Sequence, residues 1–257
     1  VRSTDGGDSW QAADSGLDRT IHVMAIACDG GNGTLFAGGT ALFRSTDGGD
    51  SWTVLPGWPE GVSIEELAVS PQYATDQTLL AGTYRGVYRS TDGGASWMQS
   101  EGFVPLETQV VAPSPAYADD GTLFAGTEMG VYRSTDRGYN WQPANKGLVG
   151  SYASHIKDIV VSPDFASDRT LFASWKLSGR MGGNVYRSTD AGENWEELWG
   201  TEYVGDLAIS PQFPTDQTLF ATGSGGMVFK SADGGVSFVP KLNEPDFSAS
   251  ESGKCPA

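Results

Sequence analysis

Three acidic residues share one register of a repeating pattern: Glu66, Asp158 and Asp206 stand immediately before the apolar triplets Leu67-Ala68-Val69, Ile159-Val160-Val161 and Leu207-Ala208-Ile209. The same register holds Val23 and Val110 in two further copies. If the triplets are strands set side by side, the carboxylates ring one mouth, where like charges raise one another's proton affinity. Such a cluster can hold a cation, or pair a proton donor with an acceptor as glycosidic-bond hydrolysis requires. Lys157 neutralises part of it. Acids that are merely solvated around a wet channel would read the same way.

A second set has the composition of a sugar- or protein-binding surface: Trp58, Tyr84, Arg85, Tyr152, Trp175, Lys176, Arg180 and Trp199. Aromatic faces stack on sugar rings, and the cations and polar groups beside them fix orientation. Solvent-facing loops of ordinary composition hold similar residues. The stretch from Trp175 to Asn184 interrupts the repeat and is expected to be the largest irregular loop.

The elements that must position these groups are set by a recurring octapeptide. Ser-Thr-Asp-Gly-Gly-Asp-Ser-Trp at Ser3–Trp10 returns at Ser45–Trp52, Ser90–Trp97, Ser134–Trp141 and Ser188–Trp195, and in weaker form at Ser231–Phe238. Between copies, short runs rich in β-branched and aromatic residues alternate with Gly, Pro, Asp and Ser, giving four strands per unit of roughly 40–45 residues. In one unit these strands fall at Glu66–Val69, Thr78–Gly82, Gly86–Ser90 and Ser96–Gln99. The first is apolar on consecutive positions, hence covered on both faces, and the fourth is polar, as an outer edge should be. Helical periodicity is absent. The sequence therefore predicts an all-β fold, a β-propeller of four-stranded antiparallel blades, with five full blades preceded by a half-blade at Val1–Gln11. That is a six-bladed ring or part of a larger one. Residues 1–241 form the propeller, and 242–257 are a tail of little strand character.

Within the octapeptide, Asp47 is placed to accept loop amides, Ser45 adds a hydroxyl, and Gly48 or Gly49 supplies the left-handed backbone of a tight turn. Trp52 folds over the loop. The pattern Ser-x-Asp-x-Gly-x-x-Trp resembles the Asp-box, or bacterial neuraminidase repeat, of sialidases, sortilin-type receptors, xyloglucan-degrading propellers and photosystem II assembly factor-like proteins. The resemblance implies that Asp5, Asp47, Asp92, Asp136, Asp190 and Asp233 are structural, on the face opposite a ligand site. It also implies a secreted or cell-surface scaffold, extracellular, with a protein or glycan partner. The rival expectation is a fragment of a glycoside hydrolase using Glu66, Asp158 and Asp206. Against a sialidase, Arg2, Arg44, Arg89, Arg133 and Arg187 all precede an octapeptide serine and read as repeated surface, not as a convergent triad.

A second repeated element, Ser-Pro-x-aromatic-x-x-Asp-x-Thr-Leu, begins at Ser70, Ser114, Ser162 and Ser210. Its aromatic residue is expected beneath the loop and its Asp to cap amides. Calcium would need six to eight oxygens where this loop offers one or two carboxylates. No metal and no cofactor are expected.

The formal charge of −16 and pI near 4.3 disfavour phosphate backbones and anionic lipid, so nucleic acid is not an expected partner. No apolar run approaches the ~20 residues of a membrane-spanning helix, and no basic-then-apolar leader stands at Val1. Cys28 and Cys255 either form a bond tying the two ends, which implies an oxidising compartment, or remain unrelated thiols. Self-association through open blade edges is a further expectation.

Overall fold

A computed structural model describes residues 1–17, 25–28, 33–102, 106–148, 154–177, 183–201, 204–223 and 226–241. They form five antiparallel sheets of four strands, each in simple chain order. Blade I holds β1 (Ala25–Cys28), β2 (Leu35–Gly38), β3 (Leu42–Ser45) and β4 (Thr53–Leu55). Blade II holds β5 (Ile64–Val69), β6 (Leu79–Thr83), β7 (Gly86–Ser90) and β8 (Met98–Gln99). Blade III holds β9 (Thr108–Pro113), β10 (Leu123–Thr127), β11 (Gly130–Ser134) and β12 (Gln142–Pro143). Blade IV holds β13 (Ser154–Val161), β14 (Leu171–Leu177), β15 (Gly183–Ser188) and β16 (Glu196–Thr201), and blade V β17 (Val204–Ile209), β18 (Leu219–Gly223), β19 (Val228–Ser231) and β20 (Val239–Lys241). The innermost strands adjoin in sequence, β1 to β5, β9, β13 and β17. This is a β-propeller arrangement, and the N-terminal half-blade closes on itself through the Arg2–Gln11 bridge.

The core lies between blades. Leu80 of β6 packs with Ala68, Val111 and Tyr117, and Phe172 of β14 with Leu207 and Phe213. The blades approach so closely that a Cβ on Gly126 would fall 2.5 Å from Ile156 of the next blade. Each repeated Ser-Pro loop contains one helical turn that the sequence pattern did not foresee: α1 (Tyr73–Asp76), α2 (Tyr117–Asp120), α3 (Phe165–Asp168) and α4 (Phe213–Asp216). A single turn is too short to show a periodicity. Its buried aromatic residue is the anchor, while Ser70 Oγ donates to Asp76 at 2.6 Å and the Thr78 amide to the same carboxylate at 2.9 Å.

All six octapeptide loops share one network. In the second, Ser45 Oγ donates to Asp47 Oδ1 at 2.7 Å, the Gly49 amide to Ser45 Oγ at 2.8 Å and the Ser51 amide to Asp47 Oδ1 at 2.9 Å. The loops sit on the same face as the Ser-Pro loops, joined to them by bonds such as Gly93 N to Gln77 O at 3.0 Å.

The segment leaving one blade then grips the outer strand of the next. Trp52 N donates to Ser15 O at 2.8 Å, Trp141 N to Glu101 O at 3.1 Å and Trp195 N to Lys146 O at 2.8 Å. The glycine after each acceptor, Gly16, Gly102 and Gly147, has a left-handed φ, and a Cβ there would lie 2.1, 2.3 and 2.1 Å from the tryptophan carbonyl oxygen. Of the arginines before the octapeptides, expected as repeated surface, Arg2, Arg89, Arg133 and Arg187 cross the same joints. Arg2 bonds Gly48 O and pairs with Asp50 at 2.6 Å, and Arg133 bonds Ala191 O and pairs with Glu193 at 2.6 Å. At these joints burial decides energetics. Trp195 is 6% exposed and Trp10 53%, so Trp195→Ala is expected to cost about 3–5 kcal/mol and Trp10→Ala about 1 kcal/mol or less in urea unfolding.

Candidate functional site

Glu66, Asp158 and Asp206 lie within the innermost strands β5, β13 and β17, each just before its apolar triplet. Glu66 lies across from Gly82, whose missing Cβ would meet Thr108 of blade III. Asp158 lies across from Ser174 and is pinned: its Oδ1 accepts the Ile159 amide at 2.8 Å and its Oδ2 the Leu207 amide of blade V at 2.7 Å. Asp206 is exposed on β17, 3.8 Å from Lys157 Nζ of blade IV. Ala208 beside it is exposed too, whereas its counterparts Ala68 and Ala112 are buried under the next blade.

The three acids share an electric field. Burial pushes the Glu66 carboxyl up to about 7, with the Asp158 charge adding, Lys157 opposing and Asp206 adding less. Burial likewise raises Asp158 to about 6 against the pull of the Leu207 amide, with the Asp206 charge adding. Among the described residues no three His, Cys, Asp or Glu side chains are grouped to hold a metal ion. The octapeptide acids move the other way: the Ser237 hydroxyl and amide hold Asp233 down at about 2, and serine hydroxyls likewise depress Asp5, Asp47 and Asp92.

The aromatic set does not form one surface. Trp58 fills the gap between blades I and II, its ring 4.9 Å from Trp97 and 5.5 Å from Tyr88, with Nε1 donating to Val62 O at 2.7 Å. Trp175 is not in a loop: the insertion lengthens the β14–β15 hairpin, pairing Trp175 with Asn184, and the side chain is buried 6.2 Å from Tyr186. Lys176 is half-buried on the same strand, opposite His155. Tyr84 and Arg85 do form an exposed pair at the β6–β7 turn, with the guanidinium 5.1 Å from the ring centroid and the phenol donating to Gly61 O at 3.0 Å. Tyr152, Arg180 and Cys255 lie outside the described residues, as do the side chains of Trp199 on β16 and Cys28 on β1.

Sequence reasoning missed two cavities of about 410 and 400 Å³ on the octapeptide side, in the joints between blades III and IV and between blades II and III. Both touch Asp136 and Asn140. The signal was present in the fourth octapeptide copy, where Arg137, Tyr139 and Asn140 replace the usual Gly, acidic or small residue, and Ser.

No family model matches the chain, and no curated protein matches it. Solved structures do. An ancestral GH74 enzyme superposes with a TM-score of 0.73 at 22% identity over 93% of this chain and 35% of its own. The GH74 enzyme of Niastella koreensis gives 0.67 at 22% over 85% of this chain and 38% of its own. A nidogen/laminin complex structure gives 0.57 at 13% over 85% of this chain and 79% of that one. The likeness is one of fold. The chain spans little more than a third of the length of the GH74 structures. Among the described residues no helix is long and apolar enough to cross a membrane.

The channel acids give stability a pH dependence of defined sign. A carboxyl whose folded value is raised binds its proton more tightly in the folded state, so its contribution is complete below the unfolded value of about 4 and is lost as pH rises toward 6–7. The octapeptide acids act oppositely, losing stability only as pH falls below about 4. The urea midpoint is therefore expected to fall between pH 5 and pH 8, and Glu66→Gln to flatten that fall.

Proposed function

We propose that this chain is an Asp-box propeller acting as a non-catalytic binding or assembly scaffold, secreted or at a cell surface. One observation carries the reading: both oxygens of Asp158 accept backbone amides, Oδ1 that of its own neighbour Ile159 and Oδ2 that of Leu207 across the blade IV–V joint. A carboxylate so engaged helps to hold blades IV and V together, and exposed Asp206 faces Lys157 at 3.8 Å. The octapeptide aspartates are likewise spent on their own loops. Recognition falls to the face bearing the Tyr84–Arg85 pair, the aromatic–cation arrangement suited to a protein or glycan. The exposed flank of blade V, with Ala208 and Asp206, supplies a further surface for assembly.

A second reading has support of its own. Glu66, largely buried and raised to about 7, has the protonation behaviour of a general acid, and two of the structures sharing the fold are GH74 enzymes. Incubation with xyloglucan and with sialyllactose separates the two. The scaffold reading expects no product from the wild-type chain, and hydrolysis abolished by Glu66→Gln would replace it with the hydrolase. On a glycan array and against immobilised laminin, Tyr84→Ala with Arg85→Ala is expected to weaken any binding at least tenfold at unchanged melting temperature.

A further inference from the structure

The repeated arginine exposes an exception at one joint. Each of these residues has two places for a counter-charge: the cross-strand neighbour on its own blade, and the sixth octapeptide position on the next. Arg2 uses Asp50 and Arg133 uses Glu193 on the next blade, while Arg187 uses Glu196 across its own sheet at 3.1 Å. At Arg89 both places are apolar or aromatic. Its cross-strand neighbour is Met98, and the next blade presents Tyr139. The guanidinium stacks on the Tyr139 ring at 4.4 Å from the centroid, and among the described residues it pairs with no carboxylate. Among the described residues Arg44 also pairs with no acid, and its two corresponding places hold Thr53 and Ala95.

Around Arg89 the surface is shaped and partly apolar. Met98 is 69% exposed and Tyr139 52%, and with Gln99, Ser100, Glu101 and Asn140 they line the cavity of about 400 Å³. The groove is held rigidly. Ser100 Oγ donates to Gly138 O at 2.6 Å, and Glu101 pairs by backbone with Tyr139 and Trp141. Asp136, on the floor, has its carboxylate taken by Asn140 and Ser134. Glu101 leaves a negative wall, which rejects a polyanion but not a single carboxylate directed at Arg89.

We infer that the groove between blades II and III is a second recognition surface, taking a peptide segment that carries one acidic side chain beside an aliphatic one. The carboxylate meets the terminal nitrogens of Arg89, whose Nε is buried and whose side chain also bonds the Tyr117 hydroxyl. The aliphatic group covers Met98 and the free part of Tyr139, removing apolar surface from water. The site opens on the octapeptide side and uses neither the Tyr84 nor the Arg85 side chain, although Gln99 in its lining donates to the Arg85 carbonyl at 2.8 Å, so it is tested separately from the function proposed above.

The chain has five methionines, so methyl-¹³C methionine labelling gives a simple spectrum in which Met98→Leu assigns the resonance of interest. The probe is acetyl-Gly-Leu-Glu-Leu-Gly-amide, with the Gln peptide as control. The Glu peptide is expected to shift the Met98 methyl saturably, with affinity at least tenfold above the Gln peptide and falling with salt. Arg89→Gln should remove that preference, and Tyr139→Ala should weaken binding severalfold. Arg44→Gln should leave it unchanged, with all variants melting cooperatively. No shift at millimolar Glu peptide, equal shifts by both peptides, or retention of the preference in Arg89→Gln would overturn the inference.

Discussion

A backbone hydrogen bond between blades is the constraint on which the rest of this structure depends. The amide of an octapeptide tryptophan donates to the chain leaving the preceding blade, at Trp52, Trp141 and Trp195. A short outer strand such as Gln142–Pro143 has little of its own to hold it. The inter-blade bond, the glycine that permits the approach and the arginine crossing beside it supply what the strand lacks. The aspartate loop then has a narrow task, to present that tryptophan at a fixed angle. Its serine and aspartate satisfy amides that a tight loop would otherwise leave unpaired.

This division of labour sorts the acids of a strongly acidic chain. Octapeptide carboxylates are exposed, surrounded by hydroxyl and amide donors, and therefore ionised well below neutral pH. The inner-strand carboxylates Glu66 and Asp158 are half-buried, feel one another's charge and hold their protons far more tightly. One group supports the rim of each blade; the other sits where blades converge. The same residue type thus serves two purposes, separated by desolvation and by the donors within reach.

The strand order and the succession of four-stranded sheets were legible because repetition turns alignment within one chain into geometry: residues at one register must occupy one height in adjoining blades. What repetition could not show was which side of a repeated surface residue faces a neighbour. Arg133 and Arg187 look like solvent-facing polar positions in sequence, yet they cross to the next blade. Trp58 and Trp175 sit outside the repeat and were read as loop residues, whereas one plugs a joint and the other extends a hairpin. The one-turn helices escaped because four residues carry no period. The groove at Arg89 was written in the departures of the fourth octapeptide from its siblings, and only the joint geometry gave those departures a meaning.

The direct test is amide hydrogen exchange at the tryptophans. If inter-blade bonds organise the fold, the amides of Trp52, Trp141 and Trp195 should exchange as slowly as those of the central strands, such as Phe124 and Phe172, and the amide of exposed Trp10 orders of magnitude faster. Exchange of Trp52, Trp141 and Trp195 at the rate of Trp10, with the central strands still protected, would show that the blades stand without these contacts and would contradict the account.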